Sequence, residues 1–428
     1  MYDMQIYMQV CIRCLPKTVQ GETACRTMSG AEMALTAEES RVLAAVDEAA
    51  LTDLLQGLVR CPSPNPPGGE ERTVAYLAKA CEEAGLTVEL DEVLPGRPNL
   101  YASAGPGGDG AILVLGHTDT VPAGEGWTYD PYGGVVDSGR LFGRGAADMK
   151  GGLAAAVAAM GALLRAGAPL REGVTLAAVI DEEEHGQGVG AFLSRRPKAR
   201  CALVPEPTDL DTVIACRGNC YVEIAVEGRA AHAGSAELGR NAIYGAVRAV
   251  ESIRRLDEEL AAHTHPLLGR AAWSVGTIHG GTATATVPAG CSVSVDRRLL
   301  PGQTGAQALN EVERALGGLA LEDDGLRAGA ELLMEIPSFE LPSDDPFVQL
   351  VHRASVDAGA PERPLGGWTA ACDGGYLIRD GGIPSIVLGP GSVAEQAHKP
   401  DESIELMEVV LAARIYALAL LRLLSASP

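Results

Sequence analysis

Ala111-Ile112-Leu113-Val114-Leu115 runs straight into Gly116-His117-Thr118-Asp119-Thr120-Val121-Pro122, and the reading of this stretch decides the fold. A short, continuous apolar run reads as a buried strand. A histidine just past its end, with a carboxylate two residues on, falls at the rim of a sheet. Ligands in open α/β sheets bind outside the carboxyl ends of strands. Asp119 is placed to hold the His117 imidazole in one tautomer and raise its basicity, as partner carboxylates do for metal-ligating histidines. Alone, a strand-end histidine is more often a hydrogen-bonded loop residue than a ligand. Recurrence of the arrangement changes that balance.

The apolar run 174–180 leads into Asp181-Glu182-Glu183-Glu184-His185-Gly186, and the run 201–204 into Pro205-Glu206-Pro207-Thr208. The run 385–388 leads through Gly389-Pro390-Gly391 to Gln396-Ala397-His398-Lys399-Pro400-Asp401-Glu402. Gly143-Arg144-Gly145-Ala146-Ala147-Asp148-Met149-Lys150-Gly151-Gly152 is a glycine-studded turn entering an alanine-rich helix at 152–165. Each has a plainer reading: Asp148 as a helix N-cap, the four acids as a solvated turn. Four acids directly after a buried strand, however, repel one another unless cations are near. Together the segments supply two histidines and several carboxylates at the ends of at least four strands. Such a set suits zinc, and also manganese or cobalt. Five ligands fit two metals sharing one carboxylate, a pair about 3.5–4 Å apart that polarises a carbonyl and generates hydroxide from water. One acid left out of ligation is free to shuttle the proton.

The rest of the chain sets the frame. From about 36 to 213 strands and helices alternate, which is α/β layering. Between 217 and 336 the order becomes strand 221–226, helix 241–262, strands 272–278 and 291–299, helix 304–316 and a strand near 330–336. That β-α-β-β-α-β order is ferredoxin-like. The α/β pattern then resumes with helix 346–358, strand 383–388 and helix 402–424. The expected organisation is a leader at 1–35, a catalytic domain in two parts at 36–216 and 337–428, and an inserted unit at 217–336. The leader lacks the basic start and apolar segment of a signal peptide. It reads as disordered, or as sequence upstream of a true start at Met28 or Met33. Folding is expected to begin near Thr36, where Thr36-Ala37-Glu38-Glu39 looks like a capped helix start.

Composition narrows the partners. The 428 residues carry a formal net charge of -22, against a general nucleic-acid or anionic-membrane partner. Anionic small substrates remain compatible, since metals or arginines reverse the field locally. Ten cysteines without regular spacing suit reduced thiols in the cytoplasm, and Cys11-Ile12-Arg13-Cys14 is a lone pair read as chance. The run 153–164 is too short to cross a membrane, and Arg414 and Arg422 interrupt the C-terminal one.

In order and spacing, G-H-T-D-T-V-P, G-R-G-A-A-D-M-K-G-G, D-E-E, P-E-P-T and A-H-K-P-D-E resemble the co-catalytic di-zinc family of acetylornithine deacetylase, succinyl-diaminopimelate desuccinylase, aminoacylase and glutamate carboxypeptidase. The likeness runs from about residue 45 to the C-terminus. It implies a zinc-peptidase-like α/β domain, with helices on both faces of a mixed sheet, and an inserted ferredoxin-like α+β lid that dimerises. It also implies hydrolysis of an amide beside a free carboxylate. By motif, His117, Asp148 and Glu206 would hold one zinc, and Asp148, Glu183 and His398 the other, cobalt or manganese being substitutes. Asp119 would orient His117, and Glu182 would deprotonate a metal-bridging water and pass the proton to the leaving amine. The extra acid leaves a shifted register open, with Glu183 as base and Glu184 as ligand.

In the inserted unit, Gly228-Arg229-Ala230-Ala231-His232-Ala233-Gly234 resembles the family's turn whose histidine reaches the site, often from the partner subunit, to stabilise the oxyanion. Asp296-Arg297-Arg298-Leu299-Leu300-Pro301-Gly302 resembles its D-x-R-x-x-P-G, making Arg298 the clamp for a substrate carboxylate and Arg297 a solvated neighbour. Where the family often has Asn, this chain has Ala285, which bears on substrate positioning and not on metal binding. His185, His263, His265, His279 and His352 have no motif to anchor them. The expected activity is that of a homodimeric deacylase of an N-acyl amino acid, the run Leu388-Gly389-Pro390-Gly391-Ser392 being particularly similar to acetylornithine deacetylase. A carboxypeptidase or dipeptidase acting on a short peptide is the alternative. A non-hydrolytic metal-containing binding protein is the alternative of another class.

Overall fold

The computed structural model describes residues 35–105, 112–262 and 264–426. The expected leader through residue 34, the Cys11–Cys14 pair, Ala111 and His263 lie outside the described residues.

The apolar runs assemble into one nine-stranded mixed sheet. Its order is Thr87–Leu94, Arg97–Ala104, Val174–Val179, Ile112–His117, Cys201–Val204, Ser385–Val387, Val213–Cys216 and Phe339–Glu340, with Gly366–Trp368 also pairing Val213–Cys216. The four central strands are mutually parallel. Their carboxyl ends therefore lie along one edge, which is why loops distant in sequence converge there.

Both faces of the sheet are covered. On one, Leu100, Val114, Leu176, Leu203 and Ile386 pack under Gly151–Arg165 and Leu406–Ser425, within a core that Glu48–Val59 and Pro346–Asp357 extend. On the other, Leu113, Leu115, Val179 and Val204 meet Val189, Phe192 and Leu377 from two shorter helices. Strand residues buried on both sides need continuous apolar runs rather than alternation, and 112–115 and 201–204 have them. The stretch Ala146–Arg165 corrects the reading of 153–164 as too short to cross a membrane. Its 20 residues are long and apolar enough, but 89% of its window is buried inside the protein, as a core helix requires.

The chain leaves the sheet at Cys216 and returns at Phe339, and the two positions are antiparallel partners. Between them Gly218–Glu227, Ala272–Gly280, Gly290–Leu299 and Arg327–Ile336 form a separate four-stranded antiparallel sheet. Alternate residues Val222, Ile224, Val226, Val293 and Val295 pack against Ala246, Ile253, Ala308 and Val312 of helices Ala242–Leu260 and Gly305–Gly317. The opposite face, which includes Tyr221, Asp296 and Arg298, is left open.

Some local expectations are corrected. The C-terminal helix begins at Leu406, because Ser403–Glu405 first pairs as a strand with Arg140–Phe142. Asp148 caps no helix: its backbone is non-helical, and Gly151–Arg165 has no side-chain cap. Arg297 is buried over the Trp273 ring at 5.2 Å rather than solvated. Ala37–Ala44 begins as read, Thr36 and Glu39 forming a reciprocal capping box.

Candidate metal centre and active site

His117 ends its strand fully buried, its Nδ1 2.9 Å from the Asp119 main-chain oxygen and 3.5 Å from the Asp119 carboxylate. The nearer partner is the carbonyl, so Nδ1–H donates and the Nε2 lone pair faces outward, the tautomer a ligand needs. The Asp119 carboxylate accepts from the Asn65 side chain (2.9 Å) and from the Glu182 and Glu183 N–H groups, each at 3.2 Å. Asp119 thus ties the His117 loop to the acidic turn. That turn folds back through Asp181 in the left-handed region (φ 67°), with its carboxylate held by Asn65 at 2.9 Å and Arg97 at 3.0 Å.

Asp148 stands between two imidazoles, Oδ1 3.2 Å from His117 Nε2 and Oδ2 3.3 Å from His398 Nε2. His117 Nε2 is also 3.7 Å from Glu206 Oε1, and His398 Nε2 3.3 Å from Glu183 Oε2. Among the described residues, His117, Asp148 and Glu183 form a group compact enough to hold a metal ion. It is the Glu183 carboxylate, one residue before Glu184, that meets His398. His398, left-handed (φ 63°) and half exposed, forms the solvent side. Non-glycine residues held there cluster at functional sites. Glu206 follows Pro205, whose carbonyl is packed on by Gly152 and Gly389; a Cβ built on either glycine collides with it.

The charges are unbalanced without cations. Burial first, then Glu206, Asp373 and Glu183, pushes the Glu182 carboxyl well above the usual range. Burial pushes Glu206 well above that range and raises Glu183, partly offset by His117 and by the His398 hydrogen bond respectively. For Asp148 burial acts upward, but the two imidazoles outweigh it and hold the carboxyl low. The reciprocal bonds to Asp148 and Glu183 drive His398 up to about 10. Buried carboxylates need paired charge, and two imidazoles are too few for Asp148, Glu182, Glu183 and Glu206. The donor set therefore fits divalent cations.

His232 and Arg298 are not joined to this cluster within the chain. His232 is exposed, its Nδ1 accepting the Gly234 N–H at 3.0 Å. Ala285 lies beside it, its carbonyl accepting the Ala233 N–H. Arg298, on the open face of the inserted sheet, pairs through Nε with Asp296 at 2.8 Å.

Three supporting groups escape the sequence reading. Asp373 is buried, its carboxylate oxygens both lacking a hydrogen-bond partner among the described residues, and burial pushes it up to about 7, with Asp119 and Asp181 adding to the rise and His117 opposing it. No apolar run precedes it; the pair Gly374-Gly375 was the one available signal. Arg144 and Glu402 form a buried ion pair at 2.6 Å. Both lie inside quoted motifs, but neither type announces a partner.

Residues 113–422 match peptidase family M20/M25/M40. The chain belongs to that family. Over 345 residues it is 32% identical to an acetylornithine deacetylase from Erwinia tasmaniensis, covering 78% of this chain and 86% of that one. It is similar in structure to a di-peptidase from Saccharomyces cerevisiae, with TM-score 0.74 and 13% identity over 91% of this chain and 99% of that one. It is also similar to a dinuclear metal binding peptidase of the M20 family from Bacillus subtilis, with TM-score 0.67 and 16% identity over 89% of this chain and 100% of that one. At these identities the structural likeness speaks for the fold, and the expected mixed α/β architecture holds. As a member of the family, the chain is a metal-dependent hydrolase of amide bonds.

Proposed function

We propose that this M20 hydrolase removes the acyl group from an N-acyl amino acid, in the manner of an acetylornithine or succinyl-diaminopimelate deacylase. The observation that carries the reading is the seating of Asp148, one oxygen 3.2 Å from His117 and the other 3.3 Å from His398. Around that shared carboxylate, His117, Asp148 and Glu206 form one donor set, and Asp148, Glu183 and His398 the second. Both suit zinc, with cobalt or manganese as substitutes. When bound, the metals would polarise the scissile carbonyl and make a water nucleophilic at neutral pH.

The proton chemistry falls to Glu182. A carboxylate at this place accepts a proton from water and passes it to the departing amine. Asp119 keeps the Glu182 and Glu183 backbone in place through its two oxygens. Arg298 is the clamp for the substrate carboxylate, its fork suited to a bidentate pair. His232 acts on the oxyanion from the partner subunit of a homodimer, which accords with its exposure and with a ring proton left on Nε2. Residues 217–336 are then both lid and dimerisation domain, inserted into a catalytic domain of 36–216 and 337–428. The seven described cysteines are all free, which supports a reducing cytoplasmic setting.

A substrate panel on zinc-loaded protein tests the reading. Acetylornithine or succinyl-diaminopimelate should turn over in preference to simple dipeptides, and chelation should abolish the activity until metal is restored. Dipeptides turned over in preference would replace the deacylase reading with a peptidase one.

A further inference from the structure

The buried Arg144–Glu402 pair sits where three site-bearing loops meet. Glu402 Oε1 accepts the N–H groups of Ala147 (2.9 Å) and Asp148 (3.2 Å), fixing the main chain that presents the shared carboxylate. Its Oε2 takes Arg144 Nη1 at 2.6 Å. The Glu402 carbonyl accepts the Gly143 N–H at 2.8 Å, so the two segments are stitched through backbone as well. Arg144 Nη2 donates to the Ala123 carbonyl at 3.1 Å, and the guanidinium lies over Trp127 at 5.2 Å from its ring centre. Ala123 closes the loop that begins at His117, and His398 precedes Glu402 by one short turn. One carboxylate and one guanidinium therefore connect the carriers of His117, Asp148 and His398, and both are almost wholly buried.

We infer that Arg144 and Glu402 are positioning residues for metal binding: they touch neither substrate nor metal, and they set the separation of the two donor sets by locking the Asp148 turn against the His117 and His398 loops. This rests on the metal-binding reading above but not on the choice of substrate. A buried pair of this kind costs desolvation on both sides and is weak support for stability. The geometry that it imposes is the more telling consequence. Groups behind metal ligands typically change affinity by about 10- to 100-fold when altered.

The test uses chelator-stripped full-length protein titrated with Co²⁺ alone and followed by its visible absorption bands, which report affinity and ligand geometry together. Glu402→Gln retains one acceptor for the backbone but loses the ion pair. Arg144→Lys retains the charge but loses the fork that reaches Glu402 and Ala123 at once. Both variants should bind Co²⁺ about 10- to 100-fold more weakly with displaced bands, and the double variant should be no worse than Glu402→Gln. If Glu402→Gln does not fold, as judged by circular dichroism of the apoprotein, Arg144→Lys decides alone. Wild-type affinity and spectrum in folded Arg144→Lys, or losses that simply add in the double variant, would overturn the inference. A failure of the deacylase reading would appear in the substrate panel and leave these isotherms untouched.

Discussion

A general base that works near neutral pH needs surroundings that raise its proton affinity above that of a free carboxylate. Glu182 has them, from burial and from Glu206, Asp373 and Glu183. The expected outcome for Glu182→Ala is retained metal, measured by elemental analysis, with turnover lower by about 100- to 10,000-fold. Near-normal turnover would remove Glu182 from the chemistry. At this scale the sequence was informative wherever an apolar run ended in a donor, as at His117 and Glu206. It was silent where two partners are remote: Arg144 and Glu402 are 258 positions apart, and a single chain records no pairing. Asp373 was missed for another reason, since no apolar run leads into it. Arg297 was misjudged from its charge, although the alternation of Val293, Val295 and Leu299 places it on the inward face of the strand.

Among elements, the parallel strands were legible because burial on both faces leaves continuous apolar runs. The outer pair Thr87–Leu94 and Arg97–Ala104 was not, although Pro95-Gly96 is the turn signal that joins it. The helix Gly151–Arg165 makes the sharpest prediction here. Gly152 lies against the Pro205 carbonyl with no space for a Cβ. Gly152→Ala should cost about 1–3 kcal/mol in denaturant unfolding, as overpacking does, and lower metal content by displacing Glu206. A variant as stable and as metal-rich as wild type would mean that this contact relaxes freely. At the first helix, Glu39 closes the capping box with the Thr36 N–H and accepts Arg422 Nε at 2.7 Å. Burial acts to raise its carboxyl, but these bonds outweigh burial and hold it below 4.5. A lowered carboxylate stabilises the fold above its unfolded value, and the gain is lost as pH falls through the folded one. Glu39→Gln should therefore lower Tm at pH 7, and the gap from wild type should close below about pH 4. A gap that is constant with pH would mean that the ionised form contributes nothing.

For the whole molecule, the proposed homodimer would assemble through the inserted segment. Tyr244 is 70% exposed, Val247 54% and Leu238 63%, all in the inserted segment that also holds His232. In the proposed homodimer these groups would supply the apolar contact, as large exposed apolar patches do at interaction sites. Tyr244→Asp is expected to give a monomer by light scattering and, with His232 withdrawn from the partner's site, a lower catalytic constant with metal content unchanged. A dimer with full activity would place the contact elsewhere. The exit and return points of this segment have a consequence of their own. Cys216 and Phe339 face each other as antiparallel neighbours, so everything between them occupies the place of a hairpin turn. The sheet keeps its threading whatever hangs from that turn. Such a port lets the inserted unit be exchanged or enlarged while the main sheet keeps its register.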